Sequence, residues 1–158
     1  METLQINKEN AVKAYEEATA KGKVLLENLF GKKVFLKDIK DRISCFDDVL
    51  KENGITREEF ENSCKGLEPD EIAYRMAKLV CTTYNEGWKP DWNNSSEYKY
   101  YPWFDMRSSA SGGFSFFVYV LWDTASGVGS RLCFKSADLA KHAGKLFEQE
   151  IYKPLFTL

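Results

Sequence analysis

Hydrophobic and polar positions change their period along this chain, and the changes mark out its elements. Residues 8 to 30, KENAVKAYEEATAKGKVLLENLF, are rich in helix formers, with Val12, Tyr15, Leu26 and Leu29 near helical spacing. Gly22 weakens the middle, so the stretch predicts one bent helix or two joined ones. GKKVFLKD then reads as a break followed by a short extended piece. Ser44 with Asp47, and Thr56 with Glu59, have the spacing of a capping box, in which a hydroxyl and an acid three residues apart satisfy each other's backbone N–H groups. They predict two short helices, CFDDVLKENG closing at Gly54 and REEFENSC after it. Pro69, suited to a first helical turn, opens a stronger helix that runs to about Asn85. Ile72, Met76, Leu79, Val80 and Thr83 make one stripe of it, and Tyr74, Ala77, Cys81 and Tyr84 another. A helix apolar on two sides is expected to be buried on two sides.

Beyond Gly87 the helical repeat stops. The Pro, Asn and Ser content of WKPDWNNSS predicts ordered turns. Residues 98 to 104 then alternate as a strand, which Pro102 consigns to an edge or a bulge. After the connector RSSASGG, residues 114 to 122 place Phe114, Phe116, Val118, Val120 and Trp122 on one face and Phe117, Tyr119 and Leu121 on the other, the pattern of a central strand covered on both faces. The turn TASGVGS leads to RLCFK, a half-buried partner strand. Ser136 can cap a last helix, roughly 137 to 152, that buries Leu139, Ala143, Leu146, Phe147 and Ile151. The expected class is therefore α+β: a helical N-terminal region over residues 1–66, then over 67–158 a helix, a three-stranded antiparallel sheet and a helix, packed as one globular unit.

Composition narrows the function classes. With 158 residues and 44% hydrophobic content, the chain can remove about two-thirds of its unfolded surface from water. Its formal charge of -2 gives no overall positive field, which disfavours general nucleic-acid binding. No run of some 18 apolar residues is present, and METLQINKEN lacks the basic-then-apolar order of a secretory signal, so a soluble cytoplasmic protein with no membrane contact is expected. Cys45, Cys64, Cys81 and Cys133 show no CxxC spacing, and one histidine is available to help them. They read as reduced thiols, mostly core fillers, with neither a metal nor a cofactor implied.

The candidate chemistry sits between residues 84 and 122, where most of the large aromatic side chains fall. Buried, these rings supply the main mass of a core. Left partly exposed, Trp88, Trp92 and Tyr98 would form walls for a ligand, with Asp91, Asn93 and Asn94 fixing its orientation. Arg107 and Arg131 are the arginines near this cluster that could meet an anionic ligand. The leading expectation is a non-enzymatic binding or interaction module with an aromatic, Asn-rich loop, its partner an unknown small ligand or a protein. The competing one takes Pro-Asp followed by Glu-x-Lys in PDWNNSSEYK as a magnesium-dependent nuclease or hydrolase skeleton, Asp91 and Glu97 binding metal and Lys99 positioning water. Five residues between Asp91 and Glu97 leave little room for the hairpin that separates such groups. The helix, three strands, helix order resembles that of double-stranded-RNA-binding domains, but their last helix opens with a lysine cluster where this chain has Ser136, Ala137 and Asp138. His142 lies beside the Leu139 and Leu146 stripe and is expected to rim a helix interface. The glycines of GVGS make a turn, since the lysine of a phosphate loop is missing.

Three stretches, AKGKVLLENLFGKKVF, NEGWKPDWNNSSEYKYYPWF and GSRLCFKSADLAKHAGKLF, resemble segments of a family of small proteins from phages and prophage-like elements of gut bacteria. They are collinear with the start, middle and end of the chain. The resemblance implies a phage-derived setting in the bacterial cytoplasm, and it carries no reaction, cofactor or catalytic residue to transfer.

Overall fold

The computed structural model describes residues 7–107, 114–125 and 131–157. Contacts divide the chain into two compact units, Met1–Arg42 and Ile43–Leu158.

The first unit contains α1 (Lys8–Glu17), α2 (Ala20–Phe30), a 3₁₀ turn at Lys32–Phe35 and α3 (Ile39–Arg42). The long helical stretch is thus two helices, and they part at Ala18 and Thr19 rather than at Gly22. Thr19 causes the restart: its Oγ1 accepts from the Gly22 N–H at 3.3 Å, so Gly22 lies in the first turn of α2. The extended piece expected after Gly31 is absent. Residues 32–35 instead close into the 3₁₀ turn, entered through Gly31 at φ 82°, and Phe35 stacks on Tyr15 with ring centroids 4.2 Å apart.

The second unit contains α4 (Phe46–Glu52), α5 (Arg57–Ser63), α6 (Pro69–Asn85), β1 (Lys99–Asp105), β2 (Ser115–Trp122), α7 (Ala137–Leu146), a π-helical turn at Glu148–Tyr152 and α8 (Lys153–Phe156). The Thr56–Glu59 capping box forms, with Thr56 Oγ1 accepting from Glu59 N–H at 3.2 Å and Glu59 Oε2 accepting from Thr56 N–H at 2.8 Å. Ser44 pairs differently: its N–H and hydroxyl both donate to Asp48, not Asp47. α6 is buried on both expected sides, with Met76 and Val80 inward on one and Ala77, Cys81 and Tyr84 on the other. It ends as Glu86 and Gly87 turn left-handed, at φ 47° and 87°.

β1 and β2 pair antiparallel, Lys99 opposite Trp122 and Trp103 opposite Val118, with a bulge after Trp103 that sets Phe104 opposite Phe116. The α+β class fits, but the sheet has two strands rather than three among the described residues. The RLCFK segment meets β1 at a single antiparallel bridge, Tyr100 with Phe134, bonded at 3.1 and 2.8 Å. Pairing stops there because the next bonded positions are unsuitable: Pro102 has no N–H to give toward residue 132, and Ser136 already caps the following helix. Asn85 holds the opposite edge of the segment, its Nδ2 donating to the Cys133 carbonyl at 2.7 Å and its Oδ1 accepting from the Lys135 N–H at 2.9 Å, so these groups are met by α6. Pro102 is tolerated on β1 because its nitrogen points the same way as that of Tyr100, outward and beyond the bridge.

β2 is not the doubly covered central strand that its alternation predicts. It pairs on one side, and Phe117, at 67% exposure, and Trp122 lie open. α7 covers one face of the sheet, where Gly144 lies against the Phe116 ring and Pro102. Ser136 caps α7 through Leu139 N–H at 3.4 Å, as expected. The helix does not continue evenly to residue 152, because Tyr152 N–H reaches the Phe147 carbonyl five residues back and widens the turn. Leu139, Ala143, Phe147 and Ile151 are buried, whereas Leu146 is exposed. Phe147 holds the inward place beside Tyr84. The segments 108–113 and 126–130, including the GVGS turn, lie outside the described residues.

Candidate functional site: a lysine-centred loop and the cleft beside it

The chain between α6 and β1 is built around the side chain of Lys99. That side chain has no exposed surface. An ammonium has three N–H groups, and here three backbone carbonyls receive them, those of Asp91, Asn94 (3.2 Å) and Glu97 (2.7 Å). The Glu97 carboxylate stands 3.3 Å from the same nitrogen, and the Trp92 ring centroid 5.4 Å away. Carbonyls converge on one point because the loop is a series of side-chain-stabilised turns. Asp91 Oδ1 accepts from Asn93 N–H and Asn94 Oδ1 from Ser96 N–H, each at 2.9 Å.

Glu97 joins the turns to the lysine. Its Oε1 accepts from the Asp91 N–H at 2.8 Å, and this bond, more than the neighbouring Lys99, holds its carboxyl below the usual carboxylate range. The Trp88 indole N–H adds a smaller contribution in the same direction. Trp88 itself is anchored through its backbone, whose N–H donates to the Asn85 carbonyl at 2.9 Å.

Five of the expected site residues, Trp88, Asp91, Trp92, Asn93 and Asn94, therefore share one turn system. Tyr98 lies next to it, half exposed. Arg107 does not join them. It follows the far end of β1, about 20 Å of strand away, and is ion-paired with Asp105, whose carboxyl its guanidinium lowers to about 2. Glu97 and Lys99 are adjacent, but all three N–H groups of Lys99 are engaged. Among the described residues no group of three His, Cys, Asp or Glu side chains could hold a metal ion.

Trp88 forms part of the wall of a cleft of about 300 Å³ against α6. Lys78 and Cys81 come from the helix, Lys89 follows Trp88, and Arg131 and Cys133 come from the bridged segment. Lys78 contributes its stem, with its Nζ 4.8 Å from the Tyr74 ring centroid. Burial pushes the Cys81 thiol well above its usual range and the Cys133 thiol up to about 11, so both present neutral sulfur. A wider groove of about 480 Å³ between α5 and α6 has its charged groups already engaged, Glu59 in the capping box and Arg75 on the Ser63 carbonyl. His142 is likewise occupied, its Nδ1 2.9 Å from the Tyr84 hydroxyl in a helix interface, not beside Cys133 in the cleft.

Lys78, Lys89 and Cys81 carried no signal as site residues in the sequence. The helical spacing of Lys78 and Cys81 puts them on one face of α6, but which face would border an opening depends on a segment some 50 residues later. Among the described residues no helix is long and apolar enough to cross a membrane. Compared with protein-family models, with curated proteins and with solved structures, the chain matches none of them.

Proposed function

We propose that this chain is a non-enzymatic small-ligand-binding module, working in the phage-derived, cytoplasmic setting that the resemblance implies, with its site in the cleft walled by Trp88. The observation that carries this reading is Trp88, anchored by its backbone to the Asn85 carbonyl at the foot of the Lys99 loop and lining an open cleft. An indole on an anchored backbone at the edge of a cavity gives contact area at little entropic cost on binding. On this reading the Asn-rich loop acts as the frame that presents the ring. Trp92, Asn93 and Asn94 support the site, and Arg107 stands apart from it.

A screen of metabolites, nucleotides and glycans by melting temperature and tryptophan emission tests the proposal. A ligand should appear whose affinity drops in Trp88→Ala and survives in Arg107→Ala. If nothing in the screen moves either signal, the aromatic loop serves the fold alone. The nuclease alternative through Asp91, Glu97 and Lys99 has less support, because Lys99 has no N–H left to orient a water. Magnesium-dependent cleavage of nucleic acid, lost in Asp91→Ala and Glu97→Ala, would restore it.

A further inference from the structure

We infer that the cleft takes a small oxyanion carried on a flat apolar body, an arene carboxylate or arene phosphate, an inference that rests on the binding reading above and names its ligand class. The first ground is charge. Lys89 and Arg131 both line the cleft, no carboxylate lines it, and among the described residues neither cation meets an acidic partner. Several cations elsewhere meet acids: Arg57 with Asp47, Arg107 with Asp105, Lys135 with Glu86 and Lys37 with Glu16. A chain with formal charge -2 thus leaves two cations uncompensated at one opening. The thiols of Cys81 and Cys133, neutral at physiological pH, do nothing to offset them.

The second ground is shape. Trp88 and Pro90 supply flat apolar wall next to those cations, and the buried sulfurs lie behind. A cavity of about 300 Å³ lies at the small end of the ~300–1,000 Å³ range of ligand sites, which suits one ring and one charged group rather than a dinucleotide. Arg131 has a planar fork that can meet two oxygens of a carboxylate or phosphate together, and Lys89 adds a point charge beside it.

Calorimetric titration of the full chain with phenyl phosphate, benzoate, inorganic phosphate and benzyl alcohol tests the assignment. Phenyl phosphate and benzoate should bind about tenfold or more tightly than benzyl alcohol, the worth of one or two charge-assisted contacts at a partly open site. In the double variant Lys89→Ala, Arg131→Ala that preference should disappear while the affinity for benzyl alcohol and the melting temperature hold. Added salt should weaken the anions alone. If benzyl alcohol binds in a Trp88-dependent way and the anions bind no better, the cleft stands and its anion preference is overturned. Inorganic phosphate binding as tightly as phenyl phosphate overturns the flat apolar body. No binding by any of the four overturns this inference, while the broader screen still judges the binding reading.

Discussion

A lysine withdrawn from solvent needs a partner for each N–H, and Lys99 obtains them by folding its own upstream loop around itself. Lys99→Met keeps the stem and removes the ammonium, which leaves three carbonyls without a donor and Glu97 without its cation. The expected loss is about 3 kcal/mol in urea denaturation, with tryptophan emission shifted to the red as Trp88 and Trp92 loosen. An unchanged midpoint would show that the loop holds without its centre. Acid should act at the same place. The Glu97 carboxyl is lowered in the folded chain, first by the Asp91 N–H and then by Lys99. Its stabilising contribution is therefore complete above the unfolded carboxylate value of about 4.3, and is lost as the pH falls through the lower folded value. The red shift should begin below about pH 4.3 in the native chain. Glu97→Gln should remove that acid step, and an identical step in the variant would assign it to another carboxylate such as Asp105.

Among the elements, α7 meets the sheet through a glycine for a steric reason. A Cβ at Gly144 would stand 2.6 Å from the Phe116 ring and 2.7 Å from Pro102 Cβ. Gly144→Ala gains about 1 kcal/mol of helix propensity and meets an overpacking cost of about 1–3 kcal/mol. A lowered melting temperature is expected, and a raised one would mean that α7 can retreat from the sheet. This close approach left no trace in the linear pattern, where Gly144 interrupts an otherwise apolar stripe. Two of the caps were readable, because Thr56 with Glu59 and Ser136 with Leu139 act across three residues, whereas Ser44 turned to Asp48 in place of Asp47. The strand at 114 to 122 was readable as a strand. Its cover was not, since an alternating apolar run has the same spelling whether one neighbour lies beside it or two.

Across the whole second unit, Asn85 ties the end of α6 to a segment that stands 48 and 50 positions further on. Asn85→Ala leaves the Cys133 carbonyl and the Lys135 N–H unmet, and about 2–3 kcal/mol of stability should go with them. Hydrogen exchange at the Lys135 amide should quicken more than exchange in α4 or α5. Equal protection in variant and parent would show that the Tyr100–Phe134 bridge alone holds the segment. The cleft depends on the same tie, since it sets Arg131 and Cys133 opposite α6.

Contacts three or four residues apart are written in order along a chain, which is why the repeats, caps and turn chemistry foretold α6, the capping box of α5, the turns of WKPDWNNSS and the α+β class. The polar meeting points form between residues that the linear pattern leaves unrelated. Lys99 as the hub of its loop, Asn85 as a tie and, among the described residues, two unpaired cations at one opening each require the backbone to have closed first. The same closure settles that a predicted third strand is one bridge, because the next bonded position on β1 is Pro102, which has no N–H to give, and Ser136 on the other side already caps a helix.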